Sequence, residues 1–180
     1  LDPTYEDARH ARFICEHLES IEQGNLKRHI ILMPPRHGKS LHTSERFPAY
    51  LLGRHPSCQI MIGSYGAEKA EDYSRKVRGL LQHPKWPWPD VSISPQSRAV
   101  GHWETNRGGM VHAAGVGGAF PGFGANFLLI DDPIKGREEA DSEVIRAKQW
   151  DWYTESARTR LAPGAAIVIC ETIWHEDDIV

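Results

Sequence analysis

Short segments of this chain carry side chains whose types and spacing suit phosphate chemistry. Met33-Pro34-Pro35-Arg36-His37-Gly38-Lys39-Ser40 fits the GxxxxGK[ST] pattern, with Met33 where the first glycine stands. Gly38 lets the backbone pass close to an anion, and the N–H groups of a following helix turn point at it. Lys39 has the reach to meet β and γ phosphates, and the Ser40 hydroxyl suits Mg²⁺. The expected phosphate cradle is Pro35, Arg36, His37, Gly38, Lys39, Ser40 and Leu41. Arg36 is either a second cation for the γ phosphate or an ordinary exposed arginine.

A second segment, Phe127-Leu128-Leu129-Ile130-Asp131-Asp132-Pro133, is an apolar run that ends in two carboxylates. This is the form of a Walker B strand. Asp131 would hold the Mg²⁺ shell, and Asp132 would orient or deprotonate an attacking water. Asp132 stands where many such ATPases have Glu, so its reach is one methylene shorter. Alone, the pair could simply end a strand at Pro133; beside a phosphate loop it has chemistry to do. A third segment, Cys170-Glu171-Thr172-Ile173-Trp174-His175-Glu176-Asp177-Asp178, offers the Thr172 hydroxyl at a strand end. There it could contact a γ phosphate or the water, while the acids at 176–178 suit the first turn of a helix. His175, Glu176 and Asp177 make a poor metal site, because consecutive residues rarely face one ion.

Elements must bring these segments together. Ala8, Ala11, Ile14, Cys15, Leu18 and Ile21 recur at helical spacing over 6–22, and Gly24-Asn25 stop that helix. Ile30 to Met33 is a continuous apolar run, expected to be a strand covered on both faces. A helix is expected from about Lys39. Ile60-Met61-Ile62 reads as a second buried strand and Ala67–Leu81 as a helix. The stretch 83–90, rich in proline and tryptophan, must be a loop. Ala99–Trp103 and Met110–Ala114 suit a hairpin around 106–109. The glycines of 115–124 predict a flexible loop, and 141–160 a charged helix. Phe127–Ile130 and Ala166–Ile169 complete the buried strands.

Strands alternating with helices predict an α/β domain with a mostly parallel central sheet flanked by helices. Each chemical segment then falls at a strand's carboxyl end, where such sheets bind ligands. Strand 60–62 intervenes in the chain between the phosphate loop and the acidic pair. That favours ATPases with an extra strand between the two over small-molecule kinases.

Composition sets outer bounds. The chain has 180 residues, enough for one domain with a real core. No apolar run reaches the ~18 residues of a membrane span. Leu1–Glu6 show no signal peptide, and the missing initiator Met suggests a trimmed chain. Cys15, Cys58 and Cys170 lack CxxC spacing, so reduced thiols are expected. A net charge of −3 gives no global signature of nucleic-acid binding, so any DNA contact must be local.

The segments 33–40, 128–140 and 171–178, with weaker support from 62–78 and 150–168, resemble the large terminase subunits of tailed phages. The resemblance runs in order along almost the whole chain, 1–180. It implies a P-loop NTPase fold and an ATPase domain of a DNA-packaging motor. In that family Lys39 and Ser40 match the phosphate-loop pair, Asp131 and Asp132 the acidic pair, and Thr172 a motif coupling hydrolysis to DNA motion. The implied cofactors are ATP and Mg²⁺. The implied partners are double-stranded viral DNA, a portal protein, a small terminase subunit and further copies in a ring. No membrane is involved, and the location is the bacterial host cytoplasm. The family's nuclease domain falls outside these residues, so DNA cutting is expected only of the full-length protein. Ile173 stands where the family often has Arg, and Glu171 where it often has an apolar or amide residue.

Two other readings stay open: a helicase-like or remodelling ATPase, and a nucleotide-binding module without turnover. Arg9 and His10 are candidates for adenine contacts. Arg107, Arg75, Arg78, Arg98 and Arg158 are rival candidates for an arginine acting on a neighbouring subunit. Most histidines, His17, His37 and His42 among them, read as surface or packing residues. Trp86 and Trp88 could stack on a base but more simply pack their loop; Trp150 and Trp152 help cover the sheet.

Overall fold

The computed structural model describes residues 8–97, 99–120, 122 and 124–179. Leu1–Glu6 and Arg98 lie outside the described residues. One sheet of six strands organises the chain, in the order β1-β6-β5-β2-β4-β3. Its strands are β1 (Arg28–Leu32), β2 (Gln59–Ser64), β3 (His102–Glu104), β4 (Met110–Gly115), β5 (Ala125–Asp131) and β6 (Leu161–Glu171). All pairings are parallel except β3 on β4. The expected mostly parallel α/β fold is what the chain adopts.

One face of the sheet is covered by α1 (Arg9–Glu22), α2 (Phe47–Arg54) and α3 (Ala67–Leu81). Ile14, Leu18 and Ile21 of α1, Leu51 and Leu52 of α2, and Tyr73 and Val77 of α3 pack there with Ile60, Ile62 and Val168 of the sheet. α1 ends where Gly24 takes φ 79, a conformation that costs glycine little. α4 (Arg137–Ala140) is a single short turn. The opposite face carries a helical run: α5 (Glu143–Asp151), a π-helical segment Trp152–Ala157 and a 3₁₀ turn Arg158–Arg160. Its anchor is Trp152, which is buried against Gly63 of β2; a Cβ on Gly63 would lie 2.7 Å from the Trp152 ring. Trp150 is exposed and does not cover the sheet.

One expectation needs correction, and another is met and extended. β1 is an edge strand, and only Ile31 in it is buried, while Ile30 and Leu32 are 49% and 45% exposed. The run is apolar on both faces, but α1 shields one face only. The hairpin Ala99–Ala114 also does more than pair with itself. Its second strand, β4, lies parallel to β2 and so widens the main sheet. Strand 60–62 does fall between β1 and β5 in the chain, while in space β6 lies between them and 60–62 lies on the far side of β5.

The helix expected from Lys39 begins there, but Leu41–Arg46 is π-helical. The Phe47 N–H bonds to His42 C=O, five residues back. The Thr43 hydroxyl takes the Lys39 carbonyl at 2.9 Å, and Pro48 has no N–H to give to Ser44. Such widened turns gather at functional sites.

Candidate active site

Because β1, β5 and β6 run parallel, their carboxyl ends meet at one edge of the sheet. The loop 33–38 leaves β1 there and turns into the helix at Lys39. Two residues in this loop have positive φ: Arg36 at 66° and Gly38 at 77°. Glycine takes this at no cost, whereas Arg36 is strained and stands exposed at the loop's apex. His37 is held from both sides. Its Nδ1 is 2.9 Å from the Pro35 carbonyl, and its own carbonyl is 3.1 Å from His10 Nε2. His10 of α1 therefore braces the loop. Leu41 is half-buried at the start of the π-helical segment.

Lys39 is buried, and its ammonium group donates to Asp132 Oδ2 at 2.8 Å and to Thr172 Oγ1 at 3.1 Å. Asp132 lies just past β5 with φ 41, a rare conformation for a residue with a Cβ. Its backbone is pinned on both sides: its N–H reaches the Cys170 carbonyl, and its carbonyl accepts from Tyr65. The bend brings its second oxygen to the Thr172 N–H at 3.0 Å. Thr172 Oγ1 in turn donates to the Met33 carbonyl at 3.2 Å. One lysine, one carboxylate and one threonine thus tie the ends of β1, β5 and β6 together.

Asp131 faces the helix instead. Ser40 Oγ donates to its Oδ1 at 3.0 Å, and Ser44 Oγ to its Oδ2. Asp131 is fully buried, and burial raises its carboxyl from 3.8 to about 6; the nearby Asp132 charge adds, while the two serines and Lys39 oppose. Ser44 is four residues beyond Ser40, on the same helix face, and that periodicity could have found it. Tyr73, read in the sequence as part of an apolar stripe, also reaches the site. Burial first, and then the Asp131 charge, push its phenol pKa up.

Glu171 is the other residue missed. It is buried, its Oε1 has no hydrogen-bond partner among the described residues, and its carboxyl rises to about 8. Burial is the main cause, followed by the Asp178 and Asp132 charges. Its place beside Thr172 was the signal available. Ile173 is exposed, and Asp178 Oδ2 closes a turn by accepting from Trp174 and His175 N–H.

The remaining candidates lie elsewhere. Among the described residues no group of three His, Cys, Asp or Glu is gathered as a metal site would need. Arg107 sits in the β3–β4 turn, at the end of the sheet opposite the site. Arg75 is 3.5 Å from Asp72, Arg78 donates to the Ala99 and Ser97 carbonyls, and Arg158 is exposed. Trp86 bonds to the Val91 carbonyl and its ring meets Trp88, so that loop packs on itself and on Gly53. No helix among the described residues is long and apolar enough to cross a membrane.

Comparison with known proteins agrees with this architecture. Residues 30–177 match the family described as terminase large subunit, T4likevirus-type, N-terminal. The fold is similar to the crystal structure of the HK97 bacteriophage large terminase, with a TM-score of 0.58 and 14% identity over 93% of this chain. The chain spans 33% of the length of that solved chain. No curated protein matches.

Proposed function

The chain belongs to the terminase large-subunit family, in its T4-like type and N-terminal part, and from that footing we propose that the strand-end site hydrolyses ATP with Mg²⁺ to drive double-stranded DNA into a phage procapsid. The observation that carries the reading is the pair of hydrogen bonds that Lys39 donates to Asp132 and Thr172. A buried cation is spanned between an acid and a hydroxyl at the end of the loop 33–38. A triphosphate arriving there competes for Lys39, and Asp132 is then released to act on water.

The donor set suits Mg²⁺. Ser40 Oγ and Asp131 Oδ1 already converge within 3.0 Å, and both are oxygen donors of the kind a hard cation takes. Ser40 would be a direct ligand, and Asp131 would hold the ion's water shell. Bound there, Mg²⁺ supplies charge neutralisation at the β and γ phosphate oxygens. The chain's own groups do the rest. Gly38 and the following N–H groups cradle phosphate oxygens, with Pro35, His37 and Leu41 shaping the loop. Lys39 stabilises the charge that develops on the transferred group. Asp132 orients the attacking water and takes its proton. Arg36, exposed at the loop apex, meets the γ phosphate from the solvent side. Thr172, tied to Lys39 and Asp132 at once, relays the state of the site to β6 and the turn beyond it.

Family membership supports the wider setting: viral DNA as the moved substrate, a portal and a small terminase subunit as partners, a ring of copies, and the bacterial host cytoplasm as the place of work. The test is nucleotide binding and turnover measured side by side. Lys39→Ala should lose Mg²⁺-dependent binding of a non-hydrolysable ATP analogue. Asp132→Asn should keep binding while turnover falls by ~10²-fold or more. Undiminished turnover in Asp132→Asn would remove Asp132 from the chemistry, and undiminished binding by Lys39→Ala would remove the site.

A further inference from the structure

His102 and His112 stand opposite each other on the antiparallel pair β3–β4. The Ala113 N–H bonds to the Gly101 carbonyl at 2.7 Å, which makes 101 and 113 the hydrogen-bonded pair. His102 and His112 therefore occupy a non-hydrogen-bonded position, where cross-strand side chains come closest. Their Nδ1 atoms are 3.0 Å apart, and their ring centroids 5.2 Å.

The His112 ring is held from behind. It meets the edge of Phe120 at 5.5 Å, and Phe120 leans on Trp152 at 5.8 Å. Of the two facing nitrogens one donates and the other accepts, and which ring carries the proton depends on the tautomer. Burial first, and then His102, hold His112 below its ordinary pKa of 6.5.

We propose that His102 and His112 chelate one transition-metal ion of the Ni²⁺ and Cu²⁺ class through their Nδ1 atoms. Two nitrogens 3.0 Å apart, each bonded at about 2.1 Å to a shared ion, subtend about 90°. That is the cis angle of tetragonal and octahedral sites, which these ions favour and tetrahedral zinc does not. On binding, the proton shared between the two Nδ1 atoms is lost to water, and the ring that carried it keeps or takes a proton on Nε2; a small turn of each ring then aims both Nδ1 lone pairs at the ion, with water at the other positions. The pair lies on the β3–β4 flank, at the opposite edge of the sheet from β1. The inference therefore stands whether or not the strand-end site hydrolyses ATP.

The experiment uses the untagged protein in chelator-free buffer, with Ni²⁺ as the probe. Equilibrium dialysis should find one tight equivalent per chain, and thermal unfolding should shift upward as Ni²⁺ is added. His102→Gln and His112→Gln should each lose both effects, with circular dichroism confirming that they fold. His17→Gln, whose ring stacks on His29 at 4.9 Å, should keep them. If no stoichiometric ion binds, or the shift survives in both variants, the pair only shares a proton and the proposal falls.

Discussion

At the scale of single residues, the site is a balance of buried carboxylates against one cation and a few hydroxyls. Glu171 lies outside that balance, because its Oε1 has no hydrogen-bond partner among the described residues. Its ordinary carboxyl value is 4.5 and its folded value about 8. Between those values the folded chain keeps a proton that the unfolded chain has released. Stability from this group therefore falls as pH rises through that window, and is gone above about 8. Asp131, raised only to about 6, acts the same way lower down. Urea unfolding between about pH 6.5 and 9 should thus show wild-type stability declining with pH and Glu171→Gln declining less. Parallel curves would mean that Glu171 is not the group responsible. Ser44 gives a second prediction. Ser44→Ala removes one of the two hydroxyls on Asp131, so it should cost ~1–3 kcal/mol in urea unfolding, the range for a buried acceptor losing its donor. A cost near zero would mean that Ser40 alone holds the acid. Lys39, Ser40, Asp131, Asp132 and Thr172 were legible as a set because each ends a strand or opens a helix, and the geometry brings all five together. Ser44 and Glu171 carried only local hints, the four-residue step from Ser40 and the place beside Thr172, and Tyr73 carried none. That a widened helix turn, a core tyrosine and a strand-end acid meet at one place is set by the sheet order, not by any of these segments.

At the scale of elements, apolar runs predicted strands but not their neighbours. Ile30 and Ile31 look alike in the sequence; only the sheet order makes one exposed and the other core. Ile31→Ala should cost ~2–5 kcal/mol of unfolding free energy, while Ile30→Ala should stay within about 0.5 kcal/mol. Equal costs would show that both faces of β1 are covered. The parallel pairing of β4 with β2 was equally hidden, because a hairpin read locally does not announce a third partner. The Trp152 anchor over Gly63 adds a further expectation. Gly63→Ala drives a methyl group into the ring and should lower stability by ~1–3 kcal/mol. A neutral effect in thermal unfolding would mean that the helical run is not seated there. The helix after the phosphate loop was foreseen, but its π-helical turn was not, since it arises from the Thr43 back-bond and the missing Pro48 N–H acting together.

At the scale of the whole molecule, the chain is an α/β terminase large-subunit domain whose chemical groups gather at one end of the sheet. Arg107 lies at the other end, and Arg75 and Arg158 are exposed. Each could meet a neighbour's site only if copies assemble, so hydrolysis by a ring should depend on protein concentration. An arginine supplied in trans raises phosphoryl-transfer rates by ~10³–10⁵. The most direct measurement is the Mg²⁺-dependent ATPase rate over a wide range of protein concentration, for wild type and for Lys39→Ala. A Lys39-dependent rate that climbs faster than protein concentration is the predicted result. A rate no higher in wild type than in Lys39→Ala, at every concentration, would contradict the claim that this site hydrolyses ATP.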